Sequence, residues 1–193
     1  KLSFAAALSP DAKNIYIAGG STGENKATNE CGVFNVAKRK WEDLATLNQP
    51  RFSASLIVCE NADLYCFGGV DNDPHDPTKF SPLRSIETLN LLEVLKVTLP
   101  YKPSSPGAIS LGHRAFVVFG GWNKDNLKNS VIIRTLTNGE DYGTEEAGDL
   151  TKEDTFVANG LVSRNVETKE TIIFGTAHVH QYSQDQKTFS LLE

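Results

Sequence analysis

The sequence predicts an all-β protein made of four successive repeats, each a short antiparallel sheet. Three observations predict it. A strand ending in a double glycine occurs three times, with a degraded fourth copy. A second landmark, a large apolar residue opening a strand after a polar turn, returns with the same period. No stretch has the apolar spacing of an amphipathic helix.

The first landmark reads Asn14-Ile15-Tyr16-Ile17-Ala18-Gly19-Gly20, then Asp63-Leu64-Tyr65-Cys66-Phe67-Gly68-Gly69, then Ala115-Phe116-Val117-Val118-Phe119-Gly120-Gly121. The degraded copy is Thr171-Ile172-Ile173-Phe174-Gly175-Thr176. Its first glycines stand at 19, 68, 120 and 175, which are intervals of 49, 52 and 55. A period of this size marks an array of supersecondary units.

The second landmark is Trp41, Leu92, Tyr142 and Phe189, at intervals of 51, 50 and 47. Trp41, Leu92 and Phe189 begin a large-x-x-Leu pattern, which Tyr142 lacks. Phe34 precedes Trp41 by seven residues and Tyr182 precedes Phe189 by seven. Leu89 precedes Leu92 by only three, so a shortened turn is expected there. Ahead of each double glycine lies a strand and a turn: Phe4–Leu8 with Ser9-Pro10-Asp11, Ser53–Val58 with Glu60-Asn61-Ala62, Ala108–Leu111 with Gly112-His113-Arg114, and Thr155–Val162 with Asn165–Lys169.

A repeat of this length, with four strands and a Gly-Gly closing the second, resembles the Kelch repeat. The resemblance covers nearly all of the chain and is most specific over Ile15–Gly20, Phe34, Trp41 and Leu44. It implies a Kelch-type β-propeller with four recognisable four-stranded blades, over residues 1–50, 51–105, 106–153 and 154–193. Rings of this family generally hold five to seven blades. Further blades are therefore expected outside this sequence, which begins at Lys1 and contains no Met.

The motif residues have structural reasons to be what they are. Gly19, Gly20, Gly68, Gly69, Gly120 and Gly121 suit a sharp turn beside packed neighbours, where positive φ or close backbone approach is needed. Trp41, Leu92, Tyr142 and Phe189 are expected to fill the space between adjacent blades, and Phe34 and Tyr182 belong to the same structural motif.

Composition excludes several function classes. Net charge is -5 over 193 residues, and Lys38-Arg39-Lys40 is the densest basic run. Neither nucleic acid nor an anionic membrane is the expected partner. No apolar stretch is long enough for a membrane-spanning helix. Cys31, Cys59 and Cys66 form no disulfide framework, and no Asn-x-Ser/Thr acceptor occurs, which points to a cytoplasmic protein. No metal ligand set, phosphate loop, nucleophile elbow or HExxH is present. His178 and His180, two apart on a strand, share a face but lack a third ligand at recognisable spacing. No cofactor and no catalytic residue is expected.

Function is therefore expected in the loops. Four strands per blade place the strand-two to strand-three loops and the blade-to-blade connections on one rim. Those loops are Ser21–Glu30, Val70–Pro82, Trp122–Lys128 and Gly143–Glu153. Asp71, Asp73, His75, Phe80 and Trp122 are the candidate contact residues for a partner protein. The alternating Asp/Asn oxygens from Asp71 to Asp76 lack the glycine and the downstream glutamate of a calcium loop. The acidic run Glu140–Asp154 reads as a solvated connection or a docking surface for a basic partner. The reading that results is a non-catalytic interaction scaffold or adaptor. The alternatives are a metal-dependent oxidase or sugar epimerase on a propeller, and a structural subunit of a cytoskeletal or ciliary assembly.

Overall fold

The computed structural model describes residues 2–22, 24, 26–60, 62–76, 78–89, 93–112, 115–121, 130–135, 142–146, 161–164, 170–174 and 178–192. All regular structure among them is β. The first sheet pairs β1 (Ala5–Leu8), β2 (Asn14–Ala18), β3 (Cys31–Asn35) and β4 (Lys40–Leu44) in chain order. The second uses β5 (Ser55–Val58) and β6 (Leu64–Phe67). It then lets out a two-stranded hairpin, β7 (Val70–Asn72) and β8 (Phe80–Pro82), before β9 (Ile86–Thr88) and β10 (Glu93–Val94) complete it. The third holds β11 (Gly107–Gly112), β12 (Ala115–Phe119), β13 (Ser130–Thr135) and β14 (Tyr142–Glu146). The fourth holds β15 (Leu161–Arg164), β16 (Thr171–Phe174), β17 (Val179–Ser183) and β18 (Thr188–Leu191).

The sheets stack face to face in chain order, with β1 beside β5, β5 beside β11 and β11 beside β15. Each sheet thus has a leading face toward its predecessor and a trailing face toward its successor. Ala5, Ala18 and Cys31 on the first trailing face meet Leu56, Leu64, Cys66 and Leu89 on the second leading face. Ile57, Tyr65, Phe67 and Ile86 then meet Phe116 and Val118. Ile109, Val117 and Phe119 meet Ile173 and Tyr182. Strands β6 and β12 are buried on both faces, which is why they read as unbroken apolar runs. Burial of one such side chain, Phe116 for example, contributes roughly 1.5–3 kcal/mol.

The seven-residue spacing of aromatics is a register effect. Phe34 lies opposite Trp41, and Tyr182 lies opposite Phe189. In the first hairpin the turn is closed by a bond from the Lys38 N–H to Asn35 Oδ1, 2.9 Å, with Arg39 left-handed at φ 53°. In the fourth, the Gln186 N–H donates to Ser183 Oγ at 3.2 Å, and Lys187 has φ 55°. Two unrelated sequences thus build the same turn with a side-chain acceptor at its first position. The second sheet shortens this turn, as the Leu89–Leu92 spacing predicts. Thr88 pairs with Glu93 where the matching Val33 pairs with Glu42, so five positions separate the partners instead of nine.

The third repeat departs from the expected phase. Tyr142 lies opposite Thr135, and it is Thr144 opposite Ile133 that matches Trp41 opposite Phe34. The segment from Gly143, expected as loop, stays in strand to Glu146. The backbone of β13 continues to Thr135, and its N–H and C=O groups take residues 142–146 as their partners.

Candidate functional site

The described loops gather at one rim, where the double glycines end the second strands. Gly20 (φ 109°) donates its N–H to the Arg51 carbonyl at 2.8 Å, and Gly69 (φ 87°) donates to the Pro103 carbonyl at 3.0 Å. Each bond fastens a second strand to the connection that enters the next sheet. A Cβ on Gly69 would sit 2.7 Å from the Phe52 carbonyl oxygen, so this approach is open to glycine alone.

Beneath the rim lies a buried ion pair that sequence reading missed. Arg51, 0% exposed, is salt-bridged to Glu87, 1% exposed. The guanidinium also donates to the Gly68 carbonyl at 2.9 Å, the Ser85 carbonyl at 3.3 Å and Ser85 Oγ at 3.0 Å. Glu87 accepts from the backbone N–H groups of Asn48 at 2.6 Å and Gln49 at 3.1 Å, and from Asn48 Nδ2 at 3.2 Å. One residue of the connection thereby clamps β6 and β9 to the segment arriving from the first sheet. Satisfying nearly every donor and acceptor is what lets two charges stay buried. The sequence signal was Glu87, a carboxylate between Ile86 and Thr88 in a buried strand.

The clamp supports the β7–β8 hairpin, which replaces part of the loop expected at Val70–Pro82. Its base is tied to the connection by paired bonds between Phe52 and Val70, 3.0 and 2.9 Å. Asn72 Oδ1 accepts from the Ala27 N–H at 2.7 Å, joining the hairpin to the loop after β2. Asp71 accepts from Gln49 Nε2 at 3.5 Å and from the Asn72 N–H at 2.7 Å. Asp73 Oδ1 accepts the N–H groups of His75 (2.8 Å) and Asp76 (3.3 Å). Asp76 Oδ1 accepts from Thr78 Oγ1 at 2.6 Å, and its other oxygen meets Lys79 Nζ at 3.0 Å. Those bonds, the Thr78 hydroxyl first, hold the Asp76 carboxyl below its ordinary value. The carboxylates of this loop thus shape the loop itself.

His75 stands exposed at the hairpin tip. Phe80 rests edge-on against Phe52, ring centres 5.2 Å apart, and keeps 47% of its surface exposed. The rim therefore presents an aromatic and a polar tip on a fastened base. Trp122 and Leu92 lie outside the described residues. Gly19, Gly68, Gly120 and Gly121 all have positive φ, at 63°, 57°, 59° and 86°.

The aromatic positions differ in surroundings. Tyr182 is 2% exposed and Phe189 packs beside it against the third sheet. Tyr142 reaches the second sheet, its hydroxyl 2.8 Å from that of Tyr65. Trp41 contacts Phe34 at 5.2 Å yet stays 57% exposed. His178 and His180 are ring neighbours at 6.4 Å, and no group of three potential metal ligands forms among the described residues. In the acidic run, Glu145 pairs with Lys187 at 2.6 Å, bridging the third and fourth sheets at the surface. No helix among the described residues is long and apolar enough to cross a membrane.

No protein-family model matches the chain, and no curated protein matches it. The fold has relatives among solved structures, 211 chains of which match. One, described as the structure of YjhT, superposes with a TM-score of 0.68 at 12% identity, over 97% of this chain and 69% of that one. At that identity the likeness is one of all-β fold alone.

Proposed function

We propose that the chain is a Kelch-type β-propeller segment serving as a non-catalytic protein-binding scaffold in the cytoplasm, and that it grips its partner through the rim carrying the β7–β8 hairpin. The observation that carries this reading is Phe80, nearly half exposed on a hairpin whose base is hydrogen-bonded to a buried Arg51–Glu87 clamp. An exposed aromatic on a rigid support contributes contact area without an ordering cost at binding. The propeller reading is supported by four sheets stacked in sequence with their first strands adjacent. Kelch membership is supported by the double-glycine period and the aromatic pairs.

The test compares proteins captured by the native chain with those captured by Phe80→Ala and His75→Ala, two changes at exposed positions of the hairpin. A binder retained by the native chain and lost from both variants, then reproduced with purified components, supports the scaffold. Stoichiometric zinc or copper binding in calorimetry, lost on replacing His178 and His180, overturns the non-catalytic reading.

A further inference from the structure

Three of the eight prolines follow a serine: Pro10 after Ser9, Pro82 after Ser81 and Pro106 after Ser105. The fold treats the three serines differently. Ser9 is 8% exposed, and its hydroxyl is committed, donating to Asp11 Oδ1 at 2.7 Å and accepting from the Asn14 N–H at 2.9 Å. Ser105 is left-handed at φ 56°, and its N–H is held by the Ser53 carbonyl at 2.6 Å. Ser81 stands half-buried in the extended backbone of β8, and its hydroxyl takes no hydrogen bond among the described residues. Among those residues β8 pairs only with β7, so its outer edge is open.

The residue three places on separates the serines again. It is Ala12 after Ser9, Ala108 after Ser105 and Arg84 after Ser81. Arg84 is exposed, and Leu99 fastens it twice. The Leu99 N–H donates to the Arg84 carbonyl at 2.9 Å, and Arg84 Nε donates to the Leu99 carbonyl at 2.5 Å. The two Nη groups have no acceptor among the described residues, which leaves a positioned cation open to an acidic group. Leu99 itself is buried between the second and third sheets, so both neighbours of this site belong to the chain.

We propose that Ser81 is a phosphorylation site for a proline-directed serine kinase that selects a cation three residues beyond its target, and that the phosphate loosens the hairpin carrying Phe80. Pro82 has no N–H to satisfy, so it suits an enzyme that meets this position with an apolar pocket. Ser81 Oγ bonds to the γ-phosphorus of a nucleoside triphosphate as the bond to the β–γ bridging oxygen breaks. The diphosphate leaves, and the hydroxyl proton passes to the kinase's carboxylate base.

The consequence follows from register. Asp71 lies directly opposite Ser81, in the middle of the three pairs that join β7 to β8. The phosphate adds about 1.5–2 negative charges at pH 7. Like charges facing each other across a strand pair oppose the pairing, and a two-stranded ribbon has little stability in reserve. Phe80, paired with Asn72 beside them, loses its fixed support. This effect on binding rests on the Phe80 rim proposed above; the modification and the loosening do not.

The full chain, incubated with magnesium ATP and a purified cyclin-dependent kinase, tests both halves. Mass spectrometry should map one phosphate to Ser81 and none to Ser81→Ala. Arg84→Ala should slow the transfer about tenfold, the worth of one charge-assisted hydrogen bond, and Arg84→Lys should restore most of the rate. In the phosphorylated chain, deuterium exchange across residues 70–83 should quicken, and Asp71→Asn should remove much of that gain. No transfer to the native chain overturns the site, as does transfer that Ser81→Ala leaves unchanged or that occurs only after unfolding in urea. Exchange unaltered by the phosphate overturns the switch. Neither readout uses a partner, so their failure leaves the binding rim standing, and loss of the rim leaves them standing.

Discussion

Arg51 and Glu87 meet across the junction of the first and second sheets with 0% and 1% of their side chains exposed. The pair is contributed by a connection and a third strand, 36 residues apart. Breaking it should be costly while deleting it whole should not. Arg51→Met alone strands a buried carboxylate, and a loss of about 3–5 kcal/mol is expected in urea unfolding. The double variant Arg51→Met with Glu87→Met should recover much of that loss. Strictly additive effects would count against the clamp.

The hydroxyls of Tyr65 and Tyr142 are 2.8 Å apart, between the second and third sheets. Tyr142→Phe should cost roughly 1 kcal/mol, the worth of one partly buried hydrogen bond. The cycle with Tyr65→Phe should show coupling, because either deletion removes the same bond. Independent effects in chemical denaturation would place the two hydroxyls apart in solution.

Alkaline pH should weaken the fold. Burial pushes the Cys66 thiol from an ordinary 9.0 up to about 12, and Cys59 up to about 11. Burial, followed by the Tyr142 hydroxyl, also pushes Tyr65 upward. Below pH 9 these groups are neutral in both folded and unfolded chains, and their contribution is fully present. As pH rises from 9 toward 12, the unfolded chain ionises first and gains stability. The urea midpoint should therefore fall across that window, and Cys66→Ala should make the fall shallower. An unchanged slope in Cys66→Ala would exclude that thiol.

Two glycines separate backbone strain from crowding. Gly69 and Gly112 share a positive φ, 87° and 86°, but only Gly69 has an atom within 4 Å of an added Cβ. Gly112→Ala should cost about 1–2 kcal/mol for the left-handed conformation alone. Gly69→Ala should cost clearly more, because the Phe52 carbonyl must move as well. Thermal melts of the two variants give the comparison.

A left-handed serine recurs ahead of three of the sheets. Ser3, Ser53 and Ser105 are left-handed at φ 51°, 52° and 56°, each two residues before the first strand of its sheet. The Ser53 N–H donates to the Ser3 carbonyl at 2.8 Å, and the Ser105 N–H to the Ser53 carbonyl at 2.6 Å. Their spacings of 50 and 52 match the glycine period. A lone serine has no distinctive local chemistry, so only the backbone geometry singles it out.

The hairpin at Val70–Pro82 shows the opposite limit. Its Asp, Asn and Pro content predicts a loop, and local turn chemistry does fill its tip. Pairing of Asn72 with Phe80 depends on Phe52 and Ala27, which lie far off in sequence. Tyr142 stands two residues from the position that matches Trp41 for a related reason. Strand length in the third sheet is set by the extent of its neighbour, which leaves no periodic mark.

The sequence by itself determined the repeat, the strand order within each repeat, and the turn that brings Phe34 to Trp41 and Tyr182 to Phe189. Those features are local: glycine tolerates the left-handed backbone, and a fixed turn length sets the cross-strand partner. Only the tertiary structure decided which aromatics are covered, because burial depends on a neighbouring sheet. It also decided that Arg51 finds Glu87, since buried charges are settled by what surrounds them and neither residue's own neighbours name the other.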